Sequence, residues 1–174
     1  MLYLIKPTLE YKQQIAAFRQ EFIDFGGDHD GMGSLVRLKT VEEWLQQVDD
    51  CSREETCPAH WVPMTQFICI RDEDNKMVGA IQIRHRFNEF LEKYAGNIGY
   101  SVCHSERRKG YATQMLHEIL PYCREIDLTR LLVCCLEGNE GSRRTILNNG
   151  GIYESTVHEP EGDVMLERYW ISLV

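Results

Sequence analysis

The sequence predicts an α/β fold in one domain spanning residues 1–174: a mixed, mostly antiparallel, twisted sheet of about seven strands with helices on both faces. Three observations lead there. Short β-prone runs and amphipathic helical stretches follow one another in the order β-αα-βββ-α-β-α-ββ. Two pairs of strand-like runs are joined by short polar turns, which implies antiparallel hairpins. One helix stands between two strands, an order that implies a right-handed crossover to a parallel neighbour.

Leu2–Lys6 is short and apolar, and Pro7 ends it. From Thr8 onward Tyr11, Ile15, Phe18, Phe22 and Phe25 recur at helical spacing, until Gly26-Gly27 halts the helix. FGGDHDGMGSL then reads as a polar, flexible loop over the substrate. Thr40 and Glu43 make a capping box for a second helix, with Val41, Trp44, Leu45 and Val48 on one face. Gln66–Arg71 and Met77–Arg84 are strands around a turn at Asp72–Lys76, and RHRFNEFLEKYAG adds a helical turn or two. Asn97–Cys103 is a further strand. Ala112, Met115, Leu116, Ile119, Leu120 and Cys123 mark a helix that Pro121 should kink or bring to its last turn. Leu131–Leu136 is a buried strand and Asn139–Asn149 a helix closed by Gly150-Gly151. Ile152–Val157 and Val164–Ser172 form a last hairpin, turned at Pro160-Glu161-Gly162.

A net charge of −8 argues against a general nucleic-acid binder and suits a cationic or neutral small partner. No apolar run approaches the roughly 20 residues that span a bilayer, and MLYLIKPTLEYKQQ lacks the parts of a signal peptide. The seven cysteines form no C-x-x-C pair, as expected of reduced thiols in the cytoplasm. A monomer and a homodimer both fit the sequence.

Against this acidic background Ser105–Ala112, SERRKGYA, is an exception: three cations precede a lone glycine where a helix opens after a strand. A helix start offers unpaired N–H groups and partial positive charge, and Gly110 lets a ligand approach the backbone. Chemically the loop suits a pyrophosphate. It is neither G-x-x-x-x-G-K-[ST] nor G-x-G-x-x-G. Arg107-Arg108-Lys109-Gly110-Tyr111-Ala112 does match [Arg/Gln]-x-x-Gly-x-[Gly/Ala], and on it the chain resembles the GNAT (Gcn5-related N-acetyltransferase) superfamily. NIGYSV before the motif and LLVCCLEGNEGSRRTILNNGG after it, with Asn139 and Ser142 at the family's spacing, extend the resemblance over nearly the whole chain.

The resemblance implies a sheet splayed at its centre, between the strands at Asn97–Cys103 and Leu131–Leu136. Acetyl-CoA would be the co-substrate, its pantetheine arm pairing near Val102 and its pyrophosphate resting on the amides from Arg108 to Thr113. Arg107, Arg108 and Lys109 would add charge around Gly110, Tyr111, Ala112 and Thr113, and Asn139 and Ser142 would meet the cofactor arm. Asn139 also reads simply as a helix N-cap. An amine of a small molecule or peptide would attack the thioester directly in a ternary complex, and no metal is required. The Asp28-His29-Asp30 cluster has no further partner at ligand spacing.

Two of the family's usual positions are changed. Asn97 stands near where a Glu base is common, and Ile146 where a Tyr acid is common; neither can move a proton. His85 and Tyr153 are the candidate substitutes, as base and acid, against plainer readings as an exposed histidine and a strand tyrosine. The missing Glu and Tyr keep a second class open, a non-catalytic acyl-CoA-binding regulatory module.

Overall fold

In the computed structural model, which describes residues 1–174, the strands form two antiparallel sheets. The first contains β1 (Leu2–Ile5), β2 (Met64–Arg71), β3 (Lys76–Arg84) and β4 (Ile98–Val102), in that order. The second contains β5 (Arg130–Leu136), β6 (Ile152–Glu159) and β7 (Val164–Ser172), ordered β5-β7-β6. The helices are α1 (Lys12–Phe25), α2 (Val41–Cys51), α3 (Tyr111–Glu125) and α4 (Glu140–Asn148). No helix is long and apolar enough to cross a membrane.

Both faces of the first sheet are buried. Ile68, Ile70, Met77 and Ala80 meet Ile15, Phe18, Phe22 and Trp44 of α1 and α2. Phe67, Val78, Ile81 and Ile83 meet Met115, Leu116 and Ile119 of α3 on the other side. The Thr40 capping box forms as expected, with Thr40 Oγ1 accepting from the Glu43 N–H and the Glu43 carboxylate reaching back to the Thr40 N–H. Pro121 lies inside α3, which continues to Glu125. Before β4, Leu91–Ala95 winds as one π-turn whose start is held by Asn88 Oδ1 accepting the Leu91 N–H at 2.9 Å.

The expected parallel pairing of β4 with β5 is not made. Every ladder is antiparallel, and between the sheets a single bridge joins Gly96 to Val133. Asn97 makes that join. Its N–H donates to Leu132 O at 2.8 Å, and its side-chain Oδ1 accepts the Leu132 N–H at 2.9 Å. Where a backbone ladder would continue, a side chain has taken the partner strand's donor, and beyond this clamp the two strand edges separate.

The glycine-rich loop after α1 is tethered rather than flexible. Trp44 Nε1 donates to Met32 O at 2.8 Å, Gln66 Nε2 to Gly31 O at 2.7 Å, and Ser101 Oγ to Asp30 O at 2.5 Å. Arg19 reaches Leu35 O at 2.9 Å and Leu38 O at 2.6 Å. Gly31, at φ +71°, lies so close to β4 that a Cβ would stand 2.2 Å from Gly99 O. Gly31→Ala is therefore expected to push the loop off β4. Combining left-handed strain of about 1–2 kcal/mol with an overpacking cost of about 1–3 kcal/mol, urea denaturation should show the sum as lost stability.

Candidate active site

The gap between β4 and β5 is a cleft of about 350 Å³. Gly99 and Tyr100 form one wall and Cys134 and Cys135 the other; Ser142 of α4 stands at its side, and Asp28, Asp30, Arg84 and Glu159 also line it. The Cys103 N–H donates to Val78 O on β3, so strand alternation turns the amide groups of Val102 the other way, toward the gap. Arg107 Nε meets the Val102 carbonyl from that side at 3.2 Å.

SERRKGYA follows β4 and lies outside the lining of this cleft. A single turn of 3-10 helix, His104–Glu106, comes after β4 and takes in the first two residues of that stretch. Arg108 and Gly110 take positive φ values of 63° and 82°, and α3 then starts at Tyr111. The Gln114 N–H is the first to close on Gly110 O, at 3.1 Å, which leaves the Tyr111, Ala112 and Thr113 N–H groups at the helix start. A Cβ on Gly110 would meet nothing within 4 Å, so this backbone faces open space.

The three cations do different work. Lys109 Nζ is bound to Glu106 Oε2 at 2.7 Å and Arg107 to Val102 O, which leaves Arg108 unpaired beside the amides. Glu106, which sequence reasoning passed over, is buried and also receives Arg71 Nη1 at 2.7 Å and Lys76 Nζ at 3.0 Å. Arg71 in turn donates to the Tyr111 hydroxyl at 3.1 Å, tying the loop and helix start to the β2–β3 hairpin. Burial works against the Glu106 carboxylate, but hydrogen bonds from Lys109, Arg71 and Lys76 outweigh it and hold its pKa down to about 2. This support is therefore complete above the unfolded carboxylate value of about 4.3 and is lost as pH falls through about 2. Glu106→Gln should lower stability to urea at pH 7 by about 1.5–3 kcal/mol, and the deficit relative to wild type should shrink across that acid window.

Asn139 caps α4, its Oδ1 accepting the Ser142 N–H at 3.2 Å. The Ser142 hydroxyl lies 2.8 Å from that of Tyr100, inside the cleft. Thr113 turns toward α4, its Oγ1 3.4 Å from Thr145 Oγ1. The structure thus brings Arg107 to Val102 and Thr113 to α4, with Ser142 at the side of the cleft.

It does not bring His85 or Tyr153 there. Arg84 lines the cleft, and alternation turns the next residue to the other face. His85 Nε2 lies 2.7 Å from Thr65 Oγ1, itself 2.7 Å from the Tyr122 hydroxyl on α3. Burial, then Lys6, pushes the His85 pKa down. Tyr153 is exposed on β6, its ring edge-on to Tyr169 and its hydroxyl 2.8 Å from Thr156 Oγ1. Ile146 is fully buried in the core.

The carboxylates of the cleft differ in their freedom. Both oxygens of Glu159 are taken by the Glu161 and Gly162 N–H groups, at 2.8 and 2.7 Å. The Asp30 carboxyl has no such partner; its enclosure and the nearby Asp28 push its pKa up, with Arg84 pulling the other way. Cys134 is pushed up to about 12 by burial, so a thiolate is disfavoured there.

The sheet is parted at its middle, and a helix start with unpaired amides follows the strand that forms one wall of the gap. The chain belongs to the GNAT acetyltransferases: the family model for an acetyltransferase (GNAT) domain matches residues 2–152. Membership makes the protein an acetyl-CoA-dependent N-acetyltransferase and disfavours the non-catalytic reading. No curated protein sequence matches the chain significantly. Among solved structures it is similar to RimL, a ribosomal L7/L12 alpha-N-protein acetyltransferase in complex with coenzyme A. That match has 15% identity and a TM-score of 0.71 over 98% of this chain and 93% of that one. RimJ of Mycobacterium smegmatis, in complex with CoA-disulfide, matches at 20% identity and a TM-score of 0.70 over 98% and 81%. The microcin C7 self-immunity acetyltransferase MccE, in complex with acetyl-CoA and AMP, matches at 18% identity and a TM-score of 0.65 over 98% and 92%.

Proposed function

We propose that residues 1–174 act as one domain that moves the acetyl group of acetyl-CoA to the amine of a small molecule or peptide, by direct attack in a ternary complex. The single observation carrying this reading is the parting of β4 from β5 beyond the Asn97 clamp. It leaves a free strand edge for the pantetheine arm beside unpaired amides for the pyrophosphate. Val102 pairs with the arm and its N–H receives the thioester oxygen as charge develops there. Arg108 adds charge outside the amides, while Arg107 and Lys109 shape the loop.

The amine enters past Asp28 and Asp30. Its nitrogen lone pair attacks the carbonyl carbon and the C–N bond forms. The C–S bond then breaks, releasing CoA as a thiolate, and the nitrogen proton passes to Asp30, directly or through water. A thiol of pKa about 8.5 leaves without a strong acid, and hydrogen bonding of the departing sulfur by Tyr100 and Ser142, whose hydroxyls lie 2.8 Å apart in the cleft, supports its release. The seven free cysteines support a reducing, cytoplasmic setting.

A panel of amines screened for acetyl-CoA consumption tests the reading. Release of free CoA that depends on the acceptor, with an enzyme-only control for the protein's own thiols, is the expected result. Tight acetyl-CoA binding with no acceptor-dependent release from any amine would return the protein to a binding role.

A further inference from the structure

The cleft holds one cation with no carboxylate bound to it. Arg71, Arg86, Arg143 and Arg168 each meet a carboxylate. Arg84 does not, although Asp28, Asp30 and Glu159 line the same cleft. Of its five N–H donors only Nη1 is engaged, by long contacts of 3.3 Å to Ala95 O and Gly96 O. Arg84 is half-buried, and burial works against its charge, offset in part by Asp30. A partly desolvated cation without a carboxylate partner is disfavoured, so a ligand that supplies one gains affinity. The Gly31 loop packs closely on β4 at this point, where a Cβ on Gly99 would stand 3.4 Å from Nη2 and 2.8 Å from Gly31 N. Arg84 still lines the cleft, and neither its Nε nor its Nη2 has a protein partner.

Resting on the acetyltransferase reading, we infer that Arg84 binds a carboxylate of the acceptor, so that the acceptor is an amine that also carries a carboxylate, of the α-amino acid class. Arg84 presents a planar fork that matches a carboxylate's two oxygens. Asp30 stands free in the same cleft without pairing to it, so the pair receives both ends of a zwitterion: ammonium on Asp30, carboxylate on Arg84. The peptide N-terminus is the competing acceptor. It presents an amide carbonyl at the corresponding place, which satisfies a hydrogen bond but leaves the cation unneutralised.

The test compares amino acids with small, aromatic, acidic and basic side chains against their α-carboxamides at saturating acetyl-CoA, in wild type, Arg84→Gln and Arg84→Lys. The expected result is a kcat/KM at least about 100-fold higher for the best free acid than for its amide, carried mainly in KM. Arg84→Gln should remove that preference by lowering the acid series far more than the amide series, and Arg84→Lys should recover part of it. The amide series guards against misfolding, which lowers both. Amides matching or exceeding acids would assign a peptide acceptor and overturn the subsite. An equal fall of both series in Arg84→Gln would do the same, assigning Arg84 to support of the Ala95–Gly96 turn. Inactivity toward both series with acetyl-CoA binding intact by calorimetry also overturns it, whereas loss of acetyl-CoA binding in wild type would remove the acetyltransferase reading itself.

Discussion

Gly110→Asp is expected to abolish acetyl-CoA binding while the protein stays folded. Gly110 sits at φ +82°, and a Cβ there meets nothing within 4 Å, so the free protein has room for the new side chain. Asp is among the residues that tolerate the left-handed region, and the strain is about 1–2 kcal/mol. In the complex the same space lies against the pyrophosphate. A carboxylate there brings like charge and bulk to a site built from amides, and losing two charge-assisted hydrogen bonds costs about 3–6 kcal/mol. That is at least about 100-fold in Kd. Calorimetry of the folded variant, checked by thermal melting, reads the effect directly. Unchanged affinity would move the phosphate site away from this loop. Arg108→Ala should weaken binding only a fewfold, and less so at high salt, because the amides remain and an exposed cation is screened.

The motif that leads to this prediction was legible because it is local: a strand, a glycine at positive φ and an amphipathic helix within a short stretch. Hairpins and helices were legible for the same reason, through period and capping. What sequence reasoning missed depends on contacts between distant segments. The loop at 25–35 reads as flexible by composition, and it is fixed by Arg19, Trp44, Gln66 and Ser101, which no local pattern connects to it. Asn97 reads as a lost base and turns out to hold the vertex of the splay. The choice of His85 over Arg84 has a sharper cause. β3 is buried on both faces, so KMVGAIQIR carries no alternation to show which of the two residues faces the cleft. Histidine's pKa class favoured it, and the side was undetermined.

Asp30→Asn should lower kcat/KM by about 10²–10⁴-fold, the range for one general base, and should change the shape of the pH profile as well as its height. An alkyl ammonium of pKa ~10.4 is neutral about one part in a thousand near pH 7.4, so deprotonation costs roughly 4 kcal/mol. Two features of the cleft narrow that gap. Enclosure and Asp28 raise the pKa of Asp30, making it a better proton acceptor, and the Arg84 guanidinium disfavours a second cation beside it. A base must be deprotonated to act, so wild-type kcat/KM should fall as pH drops through the raised Asp30 pKa and climb above it toward the acceptor's own pKa. Removing the carboxyl should erase the acid limb and leave the slope set by the acceptor. His85→Ala should leave both limbs in place, because that ring is bound to Thr65 on the opposite face of the sheet. An acid limb that survives in Asp30→Asn and disappears in His85→Ala would return the base to the histidine and require the cleft to reach a face of β3 that α3 now covers.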